Sequence, residues 1–91
     1  MDLNYLVKHG HHPQYLLRAI NCRNHLLRDT DYFMVIDVYE KLSVEQKEEI
    51  REYRQKLRDF INENKDKYLE GQAFIEFPKQ PEFVKIPIPK Y

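Results

Sequence analysis

The stretch that decides the fold runs from Ser43 to Asn64 and reads SVEQKEEIREYRQKLRDFINEN. Ser43 is a good helix N-cap, and Gln46 three positions on completes a capping box. Glu45, Glu48 and Glu49 place negative charge in the first turns, against the positive end of the helix dipole. Ile50, Tyr53, Leu57, Phe60 and Ile61 recur at helical spacing and form one apolar stripe. The pattern predicts a helix from Val44 to about Asn64. Asn62 and Asn64 weaken its end, and Gly71 lies well beyond it.

Working upstream, Pro13 suits a first helical position, and a helix is predicted from there to about Arg28. Leu16, Ile20 and Leu27 form its stripe, with Leu17 and Asn24 beside them. Asp29 to Leu42 joins the two helices and contains the apolar run Tyr32-Phe33-Met34-Val35-Ile36. That run has strand propensity and reads equally as a buried connection. Downstream of Gly71, Ala73 to Phe77 reads as one short strand or an extended segment. Pro78, Pro81, Pro87 and Pro89 then forbid helix and favour an extended, polyproline-like tail. The expected architecture is mainly α: a hairpin of two helices, about 13–28 and 44–64, with an extended Pro-rich C-terminal arm. By composition the chain divides into a His-rich segment (1–12), a helical domain (13–77) and the arm (78–91).

At 91 residues and 11.2 kDa the chain has room for one core. Hydrophobic residues at 42%, with fifteen positive charges balancing fifteen negative, argue against disorder and against nucleic-acid binding by bulk charge. No apolar run reaches the roughly 18 residues of a membrane span, and no apolar signal-peptide core opens the chain. The single Cys22 forms no internal disulfide, which fits a reducing compartment. The balance hides segregation: Asp29, Asp31, Asp37 and Glu40 face only Lys41 in the connection, and the signs alternate along the second helix. Such alternation describes solvated faces and intrachain pairing. A domain this small is marginal alone, so a partner or self-association would support it.

Four constellations bear on chemistry. Cys22, His25 and Asp29 fall on one helix face, as an imidazole-activated thiol would require, but no Gly-rich turn supplies an oxyanion hole. A buried thiol beside an exposed His is the favoured reading. His9, His11 and His12, with Cys22 or His25, match no closed zinc spacing, and Asp29, Asp31 and Asp37 lack the Gly and distal Glu of a calcium loop. Asp31 is expected to turn the chain, using its side chain on nearby amides. Arg51, Arg54 and Arg58 make a basic stripe beside Tyr53, with Glu48, Glu52 and Asp59 at pairing distance along the helix. No enzyme signature is present, and no cofactor or metal is expected.

The segment Arg23-Asn24-His25-Leu26-Leu27-Arg28-Asp29-Thr30-Asp31-Tyr32 resembles the R-x-x-L-L-x-x-T-D-W opening of tailed-phage tail assembly chaperone-like proteins. In those a short acidic connection leads to a Ser-capped helix ending in Y-R-x-x-L-R-D. Here Asp37, then Ser43 to Gln46, then Tyr53-Arg54-Gln55-Lys56-Leu57-Arg58-Asp59 follow in the same order. Ile75-Glu76-Phe77-Pro78-Lys79-Gln80-Pro81 is similar to the I-x-W-P-x-x-P segment of tail-fibre assembly proteins. The resemblance spans about residues 23–84. Tyr32 and Phe77 stand where Trp is usual, residues 62–74 make a longer spacer, and residues 1–22 are unmatched.

The resemblance implies a non-enzymatic tail or tail-fibre assembly factor, working in the host cytoplasm by contact with a phage tail or tail-fibre protein. The alternative is a permanent subunit of the virion tail, baseplate or fibre attachment; a small metal- or thiol-dependent enzyme is a distant third. Nucleic acid and membrane are not expected partners. The residues expected to define the fold or bind the partner are Asp31, Tyr32, Tyr53, Arg54, Leu57, Arg58, Asp59, Phe77, Pro78 and Pro81. The arm, with Val84, Ile86, Ile88 and Tyr91, either covers its own core or docks on a partner.

Overall fold

The structure is a computed structural model and describes residues 12–87. Helices make up 68% of these residues, and no strand is present among them. Helix α1 spans Pro13–Thr30, a 3-10 turn spans Asp31–Met34, the single-turn α2 spans Ile36–Tyr39, and α3 spans Val44–Leu69. The mainly α expectation holds, with both long helices running further than their sequence pattern indicates.

Helix α3 starts as its capping box dictates. The Gln46 amide N–H donates to Ser43 Oγ at 3.0 Å, and the Ser43 N–H donates to Gln46 Oε1 at 3.0 Å. It does not fade at Asn64. The Asn64 Nδ2 donates to the Phe60 carbonyl at 2.8 Å, and Tyr68 and Leu69 carry the buried stripe one turn further. Tertiary burial outweighs the low propensity of two asparagines. The helix stops in a Schellman motif: the Gly71 N–H donates to the Tyr68 carbonyl at 3.1 Å, and the Gln72 N–H to the Lys67 carbonyl at 3.0 Å. Gly71 has φ +112°, a conformation side chains disfavour, and a Cβ there would lie 3.2 Å from the His12 ring. Gly71 is therefore the stop signal itself rather than a residue lying well beyond the helix.

The two long helices form an antiparallel pair. The His12 N–H donates to the Leu69 carbonyl at 3.0 Å, fastening the start of α1 to the end of α3. Leu16, Ala19, Cys22 and Leu26 of α1 meet Ile50, Tyr53, Leu57, Phe60, Ile61, Tyr68 and Leu69 of α3 in one buried cluster. Ala19 and Leu57 are wholly buried, and the small Ala19 side chain permits close approach of the helices.

Two helices leave one side of this core open, and the chain after Gly71 closes it. Ala73, Ile75 and Phe77 face inward while Gln72, Phe74 and Glu76 face outward, the alternation of an extended backbone. The Phe77 ring stacks on Phe60 with centroids 4.4 Å apart. A turn follows, with the Val84 N–H donating to the Pro81 carbonyl at 2.9 Å, and it buries Val84. Gln80 then clamps Ile86, its Nε2 donating to the Ile86 carbonyl at 2.8 Å and its Oε1 accepting from the Ile86 N–H at 3.2 Å. Residues 75–77 thus run on into the arm, and over 75–86 this extended arm covers the core of its own helix pair. Ala73 to Phe77 is extended without being a strand.

The run Tyr32 to Ile36 is neither strand nor buried connection. Tyr32, Val35 and Ile36 are 63%, 51% and 68% exposed. The backbone here satisfies itself locally: Val35 N–H donates to the Tyr32 carbonyl, and the Val38 and Tyr39 N–H groups both donate to the Val35 carbonyl. These bonds belong to a 3-10 turn and a single helical turn rather than to a strand ladder. Phe33 alone turns inward, meeting Phe83 of the arm edge-to-face at 5.5 Å. The expectations for His9, His11, Ile88, Pro89 and Tyr91 lie outside the described residues.

Candidate functional site

Helix α1 ends with carbonyls that have no intrahelical donor, a general need at helix C-termini. Arg54 of α3 supplies it. Its Nη1 donates to the Leu27 carbonyl at 2.8 Å and to Thr30 Oγ1 at 2.7 Å, and its Nη2 lies 2.7 Å from Asp31 Oδ1. The Arg54 side chain is only 11% exposed. A cation at the negative end of the α1 dipole is favourable, and a planar fork reaches three acceptors that an ammonium group would not. Thr30 is wholly buried at the centre of this latch, and its hydroxyl donates back to the Leu26 and Leu27 carbonyls at 2.8 and 3.0 Å. Those bonds hold α1 through Thr30, two residues past the expected end. The Asp31 carboxylate therefore pairs with Arg54 rather than with nearby amides. Thr30 is the member that sequence reasoning misses. Its signal is a threonine four residues after a helical leucine, where back-bonding to a carbonyl is habitual.

Tyr53 sits one residue before Arg54 and is 2% exposed. Its hydroxyl is buried beside Gln80 and makes no hydrogen bond of good geometry to any described residue. Burial pushes the Tyr53 phenol above its ordinary value; Gln80 opposes the shift, and the nearby Cys22 thiol adds to it. Leu57 is buried one turn on, and Phe77 closes the same core from the arm. Pro78 and Pro81 are half-buried where the arm crosses it. Arg58 and Asp59 point outward, with Gln55 between them: Gln55 Nε2 donates to Asp59 Oδ1 at 3.0 Å, while Arg58 Nη1 reaches Gln55 Oε1 only at 3.5 Å. Of the ten expected residues, Asp31, Tyr53, Arg54, Leu57 and Phe77 lie in the latch and core. Tyr32, Arg58 and Asp59 lie on the surface.

The thiol–imidazole–carboxylate arrangement does not assemble as a nucleophile. Cys22 is buried, and burial pushes its thiol up, the reverse of what an attacking thiolate needs. His25 turns to solvent-side partners, with Nε2 at 2.9 Å from Asp29 Oδ2 and Nδ1 at 2.7 Å from Arg28 Nη2. Among the described residues no group of three or more His, Cys, Asp and Glu is placed to hold a metal ion. No helix among them is long and apolar enough to cross a membrane.

Two of the depressions on the described surface lie beside the arm and the connection. The wider, about 640 Å³, follows the arm from Phe74 to Gln80 with Ile86, over the residues that seal the core. The second, about 470 Å³, lies where the connection meets α3 and is lined by Met34, Arg51, Glu52, Arg54, Gln55 and Arg58. Beside it in sequence stand the exposed apolar residues Tyr32, Val35 and Ile36. A family model described as phage tail assembly chaperone protein matches residues 17–82, which include the whole latch and the connection. No curated protein and no solved structure matches the chain.

Proposed function

The chain belongs to the phage tail assembly chaperone family, and from that premise we propose that it serves tail assembly without catalysis, by holding a tail or tail-fibre subunit transiently in the host cytoplasm. The observation that supports this reading is the connection between the helices. A chain short of core material nonetheless leaves Tyr32, Val35 and Ile36 outside while turning Phe33 partly inward between them. Exposed apolar side chains clustered on a short, locally bonded turn are the usual mark of a protein-contact surface. The latch behind them fixes that turn, so little ordering entropy is lost when a subunit docks. The buried Cys22 and the solvent-side His25 give no support to the enzyme alternative.

Quantitative mass spectrometry of purified particles, counting this chain against the major tail protein, tests the transient role. Absence from particles with presence in infected-cell lysate is the expected result. A fixed multiple of three or six copies would make it a virion subunit instead and end the transient reading.

A further inference from the structure

The depression at the meeting of the connection and α3 is basic for a reason the latch does not account for. Arg54 is spoken for by Asp31, Thr30 and Leu27. Arg51 and Arg58 are exposed and, among the described residues, have no carboxylate within 4 Å. Their contacts are weak ones on their own helix, Arg51 Nε to the Lys47 carbonyl at 3.4 Å and Arg58 Nη1 to Gln55 at 3.5 Å. The pairing that the sequence spacing offers is not made: Asp59 accepts from Gln55, and Glu52 lines the same depression without reaching either arginine. Met34, 38% exposed, lines the same depression as both arginines. In a 3-10 turn residues three apart eclipse, so Asp31 and Met34 share a face, and the Asp31–Arg54 pair brings Met34 over the arginine row.

We propose that this depression, with Met34, Arg51 and Arg58 in its lining, receives an acidic segment of the tail protein whose assembly the chain serves. The occupant carries two carboxylates that bracket an apolar side chain. Arg51 and Arg58 are seven residues apart on α3, so their carboxylate partners stand roughly 10 Å apart. Each guanidinium can take a carboxylate by two parallel N–H donors, and the soft Met34 thioether accommodates varied apolar shapes between them. A nucleic acid fits less well, since the lining includes Glu52 and an apolar centre and the chain has no net charge. The proposal rests on the assembly role above, and the test separates the two.

The probe is an array of overlapping 15-residue peptides covering the tail and tail-fibre proteins of the same phage, read with the full chain and with Arg51→Glu/Arg58→Glu. Circular dichroism melting checks that the variant folds, which the exposure of both side chains leads us to expect. The expected result is that captured peptides are rich in Asp and Glu around an apolar residue. The variant should bind them at least tenfold more weakly, and Asp/Glu→Lys versions of the same peptides should recover binding to the variant. Equal capture by the variant, or captured peptides without acidic residues, would overturn the docking site and leave the assembly role standing. Capture of no tail peptide by the wild-type chain would overturn both. A random-sequence DNA duplex bound by the wild type and lost in the variant, with peptide capture unchanged, would reassign the arginines to phosphate and overturn the proposal.

Discussion

Among the described residues, the connection and the arm both lack a long helix, and they treat their apolar side chains differently. The arm buries Phe77 and Val84 and half-buries Ile75, Phe83 and Ile86. The connection packs Phe33, Tyr39 and Leu42 against the core but leaves Tyr32, Val35 and Ile36 at more than half exposure. The sequence composition of the two would suggest the reverse, since the arm is the Pro-rich, extended part that looks built to reach a neighbour. The difference teaches that prolines here hold an extended chain against a helix pair too small to close its own core. In the proposed reading, recognition is left to the exposed turn of the connection.

The largest effect should come from the arm. Phe77→Ala removes the ring stacked on Phe60 and opens the core, and we expect a loss of about 3–5 kcal/mol in urea unfolding. A loss under about 1 kcal/mol would mean the arm is only laid on the surface. Next comes the latch. Arg54→Ala removes the charged donor from the Leu27 carbonyl and the Thr30 hydroxyl and takes away the cation paired with Asp31, with an expected cost of about 2–3 kcal/mol. Arg54→Lys should recover only part of it, because one ammonium cannot reach all three acceptors; full recovery would show that charge alone matters.

A smaller effect belongs to Tyr53. Removing its unsatisfied hydroxyl by Tyr53→Phe should stabilise the fold by up to about 1 kcal/mol in the same unfolding experiment. Its phenol is raised in the folded state from an ordinary value of 10.0, and the Cys22 thiol from 9.0. The unfolded chain therefore loses these protons first. Stability should hold up to about pH 9 and fall as the pH rises towards the raised folded values. Tyr53→Phe should flatten that alkaline slope, and an unchanged slope would locate it elsewhere. Least of all in stability is the connection: Val35→Ser with Ile36→Ser should shift unfolding by no more than about 0.5 kcal/mol. The same pair should markedly weaken capture of the tail protein in a pull-down.

Features carried by neighbours in the chain are legible in the sequence itself. The Ser43–Gln46 box and the stripe from Ile50 to Ile61 are local, and both stand where the pattern puts them. What the sequence does not display depends on groups far apart in the chain. The α1 end is set by Arg54, twenty-four positions from Thr30, and the α3 end by burial of Tyr68 and Leu69. Val35 and Ile36 mislead for a different reason. Their β-branched side chains favour strands, but the local bonds to the Val35 carbonyl belong to a single helical turn rather than to a strand ladder. The motif residues Thr30, Asp31, Tyr53 and Arg54 are visible as a pattern, yet only the geometry separates those that hold the fold from those that face outward.

The most direct test is hydrogen exchange of the chain alone and bound to its tail protein, followed peptide by peptide. If the connection is the docking surface, binding slows exchange in residues 31–40 and leaves 75–86, already protected by the core, unchanged. Faster exchange over 75–86 on binding, with no change at 31–40, would show the arm leaving its core to grip the partner and would contradict a docking role for the connection.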